Sequence, residues 1–313
     1  MNFRTRLITT CVVAILGSGI AASGESSQDQ STASLTTHHI KTVFVIVMEN
    51  HNWTGDGTLS IKGNPEAPYI NYDLIPNGAH ANNYWNPPHE HPSLGNFLWL
   101  EAGTDFGING AKTALSVKAN TQFTHEHLVY QLMSTGRSWK AYAGDPFHNC
   151  PVYHWVTSQV LFSDITDDAS PTAPVCIAHI VPLSELAGDL TKGTAPDYSF
   201  IVPDLCDSMH SVCNGINQIK AGDNWLKATV PLILNSKQYK EGGALFIVFD
   251  EAASGDGPIP MIVMSPFAKP GYGNYIHYTH GSLLRTVEEV FGVPLLRNAN
   301  YEPDLSNLFT VFP

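Results

Sequence analysis

The sequence predicts an α/β fold built on a central, mostly parallel sheet with helices on both faces. Three observations predict it. Short apolar runs at 42–48, 198–203, 244–250 and 260–266 carry no polar alternation, as expected of strands buried on both faces. Segments with helical spacing lie between them, several ending at a glycine. Strands that alternate with helices pack as a parallel sheet.

Taken in order, residues 1–24 read as a secretory signal. Arg4 and Arg6 give a positive start, "LITTCVVAILGSGI" an apolar region too short to span a membrane comfortably, and "AASG" small residues for cleavage. No later segment has the length and apolarity of a transmembrane helix, so the mature protein is expected to be soluble. Residues 25–40 are polar and aperiodic, a flexible leader. About 270 residues remain, read as one domain over 41–313. "TVFVIVM" opens it as a buried strand. "SLGNFLWLEAG" is a helix following Ser93 and ending at Gly103, and "HEHLVYQLMSTG" ends at Gly136 in the same way. The stretch 105–190 is less regular and reads as a flap over the site. The strand "YSFIVP" comes next, then the helix "NWLKATVPLILNS" and the strands "ALFIVFD" and "PMIVMSP". Finally "HGSLLRTVEEVFG" places Leu283, Leu284, Val287 and Phe291 on one face.

Composition narrows the function. There are 16 Lys+Arg against 28 Asp+Glu, a net charge of −12, and no basic run. This argues against nucleic acid as a partner and against docking to anionic membranes or stable insertion into them. After removal of Cys11 with the signal, Cys150, Cys176, Cys206 and Cys213 remain. An even number in an exported chain implies two structural disulfides. Of three pairings, proximity in sequence favours Cys150–Cys176 and Cys206–Cys213.

The chemistry lies where strands end. In an open α/β sheet, ligands collect beyond the carboxyl ends of the strands. The first strand ends in Glu49-Asn50, the 198–203 strand in Asp204 with Asp207 and His210 behind it, and the 244–249 strand in Asp250-Glu251. Three such clusters on one rim crowd negative charge, which a cation relieves. Carboxylate and amide oxygens suit a hard divalent ion such as Mg²⁺, Ca²⁺ or Mn²⁺. Ser93 sits where a helix begins. An N-cap role alone would explain a serine there, but a hydroxyl at a helix N-terminus beside a metal can attack phosphorus. Asn96, one turn on, reaches the same anion, and His91 is a further candidate for binding it. His210 and His280 follow strand ends and are candidates to bind phosphate or protonate a leaving alcohol. "NWT" at 52–54 matches the glycosylation acceptor pattern but abuts the site, so occupancy is not expected. There is no G-x-S-x-G elbow, Walker loop or H-E-x-x-H motif.

Five stretches in order, "VFVIVMENHNW", "HPSLGNFLWLEAG", "FIVPDLCDSMH", "FIVFDEAASGDG" and "HGSLLRTVEEVFGVP", resemble the phosphoesterase family of secreted acid phosphatases and non-haemolytic phospholipases C, and in particular its short bacterial secreted acid phosphatases. The resemblance spans roughly 41–300 and implies an alkaline-phosphatase-like fold. It also implies residue roles: Glu49 and Asn50 as one metal-binding pair, Asp250 and Glu251 as the second, and Ser93 as a nucleophile passing through a phosphoseryl intermediate. His210 and His280 would contact phosphate or the leaving group. Two departures stand out. The family's Asp before Met-His is Ser208 here, with Asp204 and Asp207 replacing two asparagines, and Gly281 replaces a usual Tyr.

The expectation is therefore a secreted or periplasmic metal-dependent phosphomonoesterase acting on a phosphorylated small molecule or a phospholipid headgroup. If it needs an imidazolium, it should favour acidic pH, since free His titrates near ~6.5. The alternatives are a phosphodiesterase of phospholipase C type and a non-catalytic carbohydrate- or surface-binding protein on the same fold.

Overall fold

The computed structural model describes residues 38–107, 126–144 and 174–313. The expected signal, most of the leader, Cys150 and parts of the 105–190 stretch lie outside the described residues.

The first long strand, β1 (Thr42–Met48), is buried along its whole length. Short strands β2 (Ala79–Ala81) and β3 (Tyr84–Trp85) lead to helix α1 (Leu94–Ala102). Helix α2 (Leu128–Ser134), β4 (Trp139–Ala143), β5 (Ile180–Pro182), α3 (Glu185–Lys192) and β6 (Tyr198–Val202) follow. After them come α4 (Gln218–Asn235), β7 (Gly243–Phe249), β8 (Met261–Met264), β9 (Gly273–Asn274), β10 (Tyr278–Thr279) and α5 (His280–Phe291). Among the described residues the main sheet runs β5-β4-β6-β1-β7-β8-β2-β9, and β10 pairs with β3 in a second. From β5 to β7 every pairing is parallel, while β8 runs antiparallel to both β7 and β2. The fold is thus α/β with a mostly parallel sheet, as the sequence predicts.

The stretch expected as a flap contributes to this sheet where it is described. "WKAYA" and "IVP" form β4 and β5, the first interrupted by Lys140 and the second only three residues long, so neither reads as an apolar run. Cys206 and Cys213 are disulfide-bonded, and Cys176 is also disulfide-bonded. No helix among the described residues is long and apolar enough to cross a membrane.

Register positions the site. Met48 pairs with Phe249, so Glu49 and Asp250 leave the sheet side by side. Ile46 pairs with Ile201, which brings the start of the 203–211 loop to the same rim. Helix α1 packs against α5, whose N-terminus carries a capping box built by Thr279 and Ser282.

Within α5, Glu288 is fully buried. Its Oε1 accepts the Leu296 N–H at 2.8 Å, and burial pushes its pKa up to about 8. The folded chain therefore keeps a proton that the unfolded chain loses above its ordinary value of 4.5. Stability from this group is full below that value and falls towards about pH 8, by up to ~1.4 kcal/mol per pH unit. Glu288→Gln should gain on the wild type in urea melts as pH rises from about 5 to about 8. Parallel profiles for the two proteins would show that Glu288 does not titrate with folding.

Candidate active site

Three buried carboxylates meet beyond β1 and β7. The main chain at Asn50 takes a left-handed turn (φ 44°), a conformation Asn tolerates better than most residues. That turn aims the Asn50 N–H at Asp250 Oδ1, 3.0 Å away, and the Glu251 N–H reaches the same oxygen at 2.6 Å. With its side-chain nitrogen facing the carboxylates, Asn50 donates to Asp250 Oδ1 at 3.1 Å and Glu49 Oε2 at 2.9 Å. Half a turn of that amide presents its oxygen to the same space.

Ser93 occupies the N-cap position of α1, but its hydroxyl caps nothing. It donates to Glu49 Oε2 at 3.2 Å. Within the first turn, the N–H groups of Asn96 and Phe97 bond the Ser93 carbonyl. Those of Leu94 and Gly95 precede the first helical hydrogen bond, so the helix itself gives them no partner. Asn96 is buried beneath. Its Nδ2 donates to the Glu90 carbonyl at 2.9 Å and to Glu251 Oε2 at 3.3 Å.

The acids hold their protons abnormally well. Burial first, then the charge of Asp250 and a hydrogen bond with it, then Glu251, raise Glu49 well above the carboxylate range. Burial also raises Asp250, and burial plus the Asp250 charge take Glu251 to about 9. The Ser93 hydroxyl opposes the rise at all three.

The histidines divide. His280 is completely buried. Its Nε2–H donates to the Asp250 carbonyl at 2.5 Å and its Nδ1 accepts from the Tyr84 hydroxyl at 3.1 Å, while burial lowers its pKa to about 4. Both ring nitrogens are engaged within the protein, which holds the main chain at Asp250. His91 Nδ1 lies 2.7 Å from Glu251 Oε2. His210 bonds Ser211 through Nδ1 at 2.9 Å, on the disulfide-closed loop whose Ser208 carbonyl accepts the Glu49 N–H. Asp207 lies on that loop, raised to about 6 by burial and by Asp204. Asp204 does not serve the rim with its carboxylate, because its Oδ1 accepts the N–H groups of Cys206 and Asp207.

Where the sequence departs from the family pattern, the structure gives reasons. The Ser208 hydroxyl is buried without a hydrogen-bond partner, so an Asp there would bring a buried charge onto the loop whose main chain bonds Glu49. A side chain at Gly281 would meet Glu302 at 2.7 Å. In the N-x-T motif, Asn52 is buried with both amide atoms bonded to Ser254, which leaves no room for a glycan.

Sequence reasoning missed three residues. His51 is buried between the Leu59 and Met209 carbonyls. Glu90, raised to about 7 chiefly by burial, packs where a side chain at Gly95 would stand. Asp256 Oδ1 lies 3.3 Å from His91 Nε2. Only Glu90, set between two histidines, offered a local signal.

The arrangement bears on a bound ion. Among the described residues no three His, Cys, Asp or Glu side chains form a ready ligand group. Yet Glu49 Oε1 and Asn96 Oδ1 are buried without a hydrogen-bond partner. Glu49, Asn50, Asp250 and Glu251 are all hard oxygen donors, and three mutually repelling acids accumulate protons in the absence of a cation. The residues present fit a divalent ion.

Comparison with known proteins identifies the family. The model of the phosphoesterase family matches residues 64–294. A phosphatidylinositol-3-phosphatase of Mycobacterium tuberculosis is 25% identical over 272 residues, covering 85% of this chain and 82% of that protein. An alkaline phosphatase superfamily protein from Vibrio parahaemolyticus superposes with a TM-score of 0.57 at 13% identity, over 83% of this chain and 70% of that one. Murine ectonucleotide pyrophosphatase/phosphodiesterase 5, in an inactive variant complexed with AMP, gives 0.55 at 10% identity, over 86% and 100%. The fold is that of the alkaline phosphatase superfamily, and the chain belongs to the phosphoesterase family, as a hydrolase acting on phosphate esters.

Proposed function

We propose that this hydrolase is a secreted or periplasmic, divalent-metal-dependent phosphomonoesterase of acid phosphatase type that works through a phosphoseryl intermediate on Ser93. One observation carries the reading: a hydroxyl at a helix start that declines to cap its helix and points into three buried carboxylates. A cation held by Glu49, Asn50, Asp250 and Glu251 would stabilise the Ser93 alkoxide and the phosphoryl oxygens. The first-turn N–H groups of α1 receive the phosphoryl oxygens, and the Ser93 proton leaves toward Glu49 Oε2. His280 holds the Asp250 main chain in place instead of donating a proton. His210 is left as the histidine that contacts phosphate or the leaving oxygen, with Asp207 on the same disulfide-closed loop. The curated relative supports a monoester on a phospholipid headgroup as substrate. The charged start and apolar run of residues 1–24, with the disulfides, support export.

The test is a screen of phosphatase activity on the mature protein against pH and divalent ions, with p-nitrophenyl phosphate beside its choline diester. Activity should fall on chelation and return with Mg²⁺, Mn²⁺ or Ca²⁺, and the monoester should be the better substrate. Turnover that survives exhaustive chelation would remove the metal from the reading, and preference for the diester would favour the phospholipase C alternative.

A further inference from the structure

The contacts of His91 lead away from the substrate. Its Nδ1 is 2.7 Å from Glu251 Oε2, while its Nε2, on the opposite edge of the ring, is 3.1 Å from the Gly255 carbonyl and 3.3 Å from Asp256 Oδ1. Engaging both edges fixes the tilt of the ring. The 253–257 turn is shaped for this: Gly255 (φ 64°) and Gly257 (φ 138°) bring a main-chain carbonyl and the next side chain to the same nitrogen. The turn is anchored in its own right, since the Asn86 N–H donates to the Asp256 carbonyl at 3.2 Å and Asn86 Oδ1 accepts the Ala252 N–H at 3.2 Å. Exposure follows the same order, with side chains 38% exposed at His91, 23% at Asp256 and 7% at Glu251. On the inner side, the contacts of His91 and of Asn96 both fall on Glu251 Oε2. A single carboxylate oxygen is thus held by two groups, which fixes the orientation of the carboxylate.

We propose that Asp256 is a positioning residue: with the Gly255 carbonyl it clamps the outer edge of His91, so that the inner edge fixes Glu251 in the orientation in which it binds a divalent ion. The inference rests on the metal-dependent reading above and assigns His91 to the support of a ligand rather than to the substrate. Groups that orient metal ligands typically change affinity or activity by 10–100-fold when removed.

The experiment measures Mn²⁺ affinity by titration calorimetry, and kcat and KM for p-nitrophenyl phosphate, in the wild type, Asp256→Ala, Asp256→Asn, His91→Ala and the Asp256→Ala/His91→Ala double variant. Asp256→Ala should weaken Mn²⁺ binding by about 10–100-fold and lower kcat with little change in KM. Asp256→Asn keeps an oxygen for His91 Nε2 and should recover most of the affinity. The double variant should bind no worse than His91→Ala if Asp256 reaches Glu251 through that ring, its other side-chain partner being the exposed His89 at 3.6 Å. The partly exposed Asp256 side chain makes the substitution tolerable to the fold, and Asp256→Asn reports on the same contact if the alanine variant melts early. Wild-type affinity in Asp256→Ala, additive losses in the double variant, or no recovery in Asp256→Asn would each overturn the inference and leave the proposed function standing. A wild-type protein that binds no Mn²⁺, Mg²⁺ or Ca²⁺ would overturn the metal reading and this inference with it.

Discussion

Replacing Ser93 by alanine should lower kcat for phosphomonoesters by at least ~10³-fold while leaving the melting temperature within a few degrees of the wild type. The two readouts separate the two roles open to a serine at a helix start. A capping serine would lose about 0.5–2 kcal/mol of stability on truncation and little activity. Here the hydroxyl makes no cap bond, because the main chain at Ser93 is already helical (φ −36°, ψ −37°), and its proton goes to Glu49 instead. Truncation therefore removes one hydrogen bond within an acid cluster and takes away the only atom proposed to attack phosphorus. Rapid-quench labelling with a ³²P-phosphomonoester should trap phosphoserine in the wild type and none in the variant. A fully active Ser93→Ala protein, or label trapped elsewhere, would defeat the nucleophile assignment.

What the sequence made legible follows from range. β1 and β7 are visible because strands buried on both faces must be apolar without a break, and the acids that end those runs are then placed by register alone. The start of α1 at Ser93 is equally local. The direction of the Ser93 hydroxyl is not, since it depends on the approach of Glu49 from another strand. His280 reads as a candidate acid because nothing near it in sequence reveals Tyr84, 196 residues away, which engages its Nδ1. Asp256 looks like an ordinary turn acid between glycines until the fold brings it to His91 across 165 residues. β4 and β5 were illegible for a different reason. Lys140 interrupts β4 and β5 has only three residues, so neither shows a clear pattern, and their place in the sheet comes from pairing, β4 with β6 and β5 with β4. Asp204, by contrast, carried a local warning: an aspartate two and three residues before free N–H groups satisfies its own turn first.

The acid cluster should be a burden on the metal-free protein, and Glu49→Gln should show it. With chelator present near neutral pH, that variant should melt several degrees higher than the wild type, while its phosphatase activity with added metal should fall by at least ~10²-fold. Glu49 is wholly buried, and burial and the Asp250 charge raise its pKa well above 4.5. Folding without a cation thus requires Glu49 to keep a proton that the unfolded chain has released. Holding a carboxyl neutral at pH ~7 against an unfolded value of about 4.5 costs about 3 kcal/mol. Glutamine is neutral at no cost, keeps an oxygen to accept from Ser93 and fills the same volume. A relief of ~3 kcal/mol corresponds to roughly 6–10 °C in a domain of this size, reduced by whatever hydrogen bonding the amide fails to match. The sign follows from linkage. A raised acid contributes its full stability below the unfolded pKa and loses it as pH climbs, so the advantage of the variant should vanish near pH ~4 and grow towards pH ~8. Saturating metal should reverse the order, because an ion bound only by the folded wild type stabilises it by mass action and the variant has lost one of the ligands. If Glu49→Gln melts lower than the wild type in chelator at every pH, the carboxylates are not crowded as the geometry implies. If it melts higher but keeps full activity, Glu49 carries no ligand role.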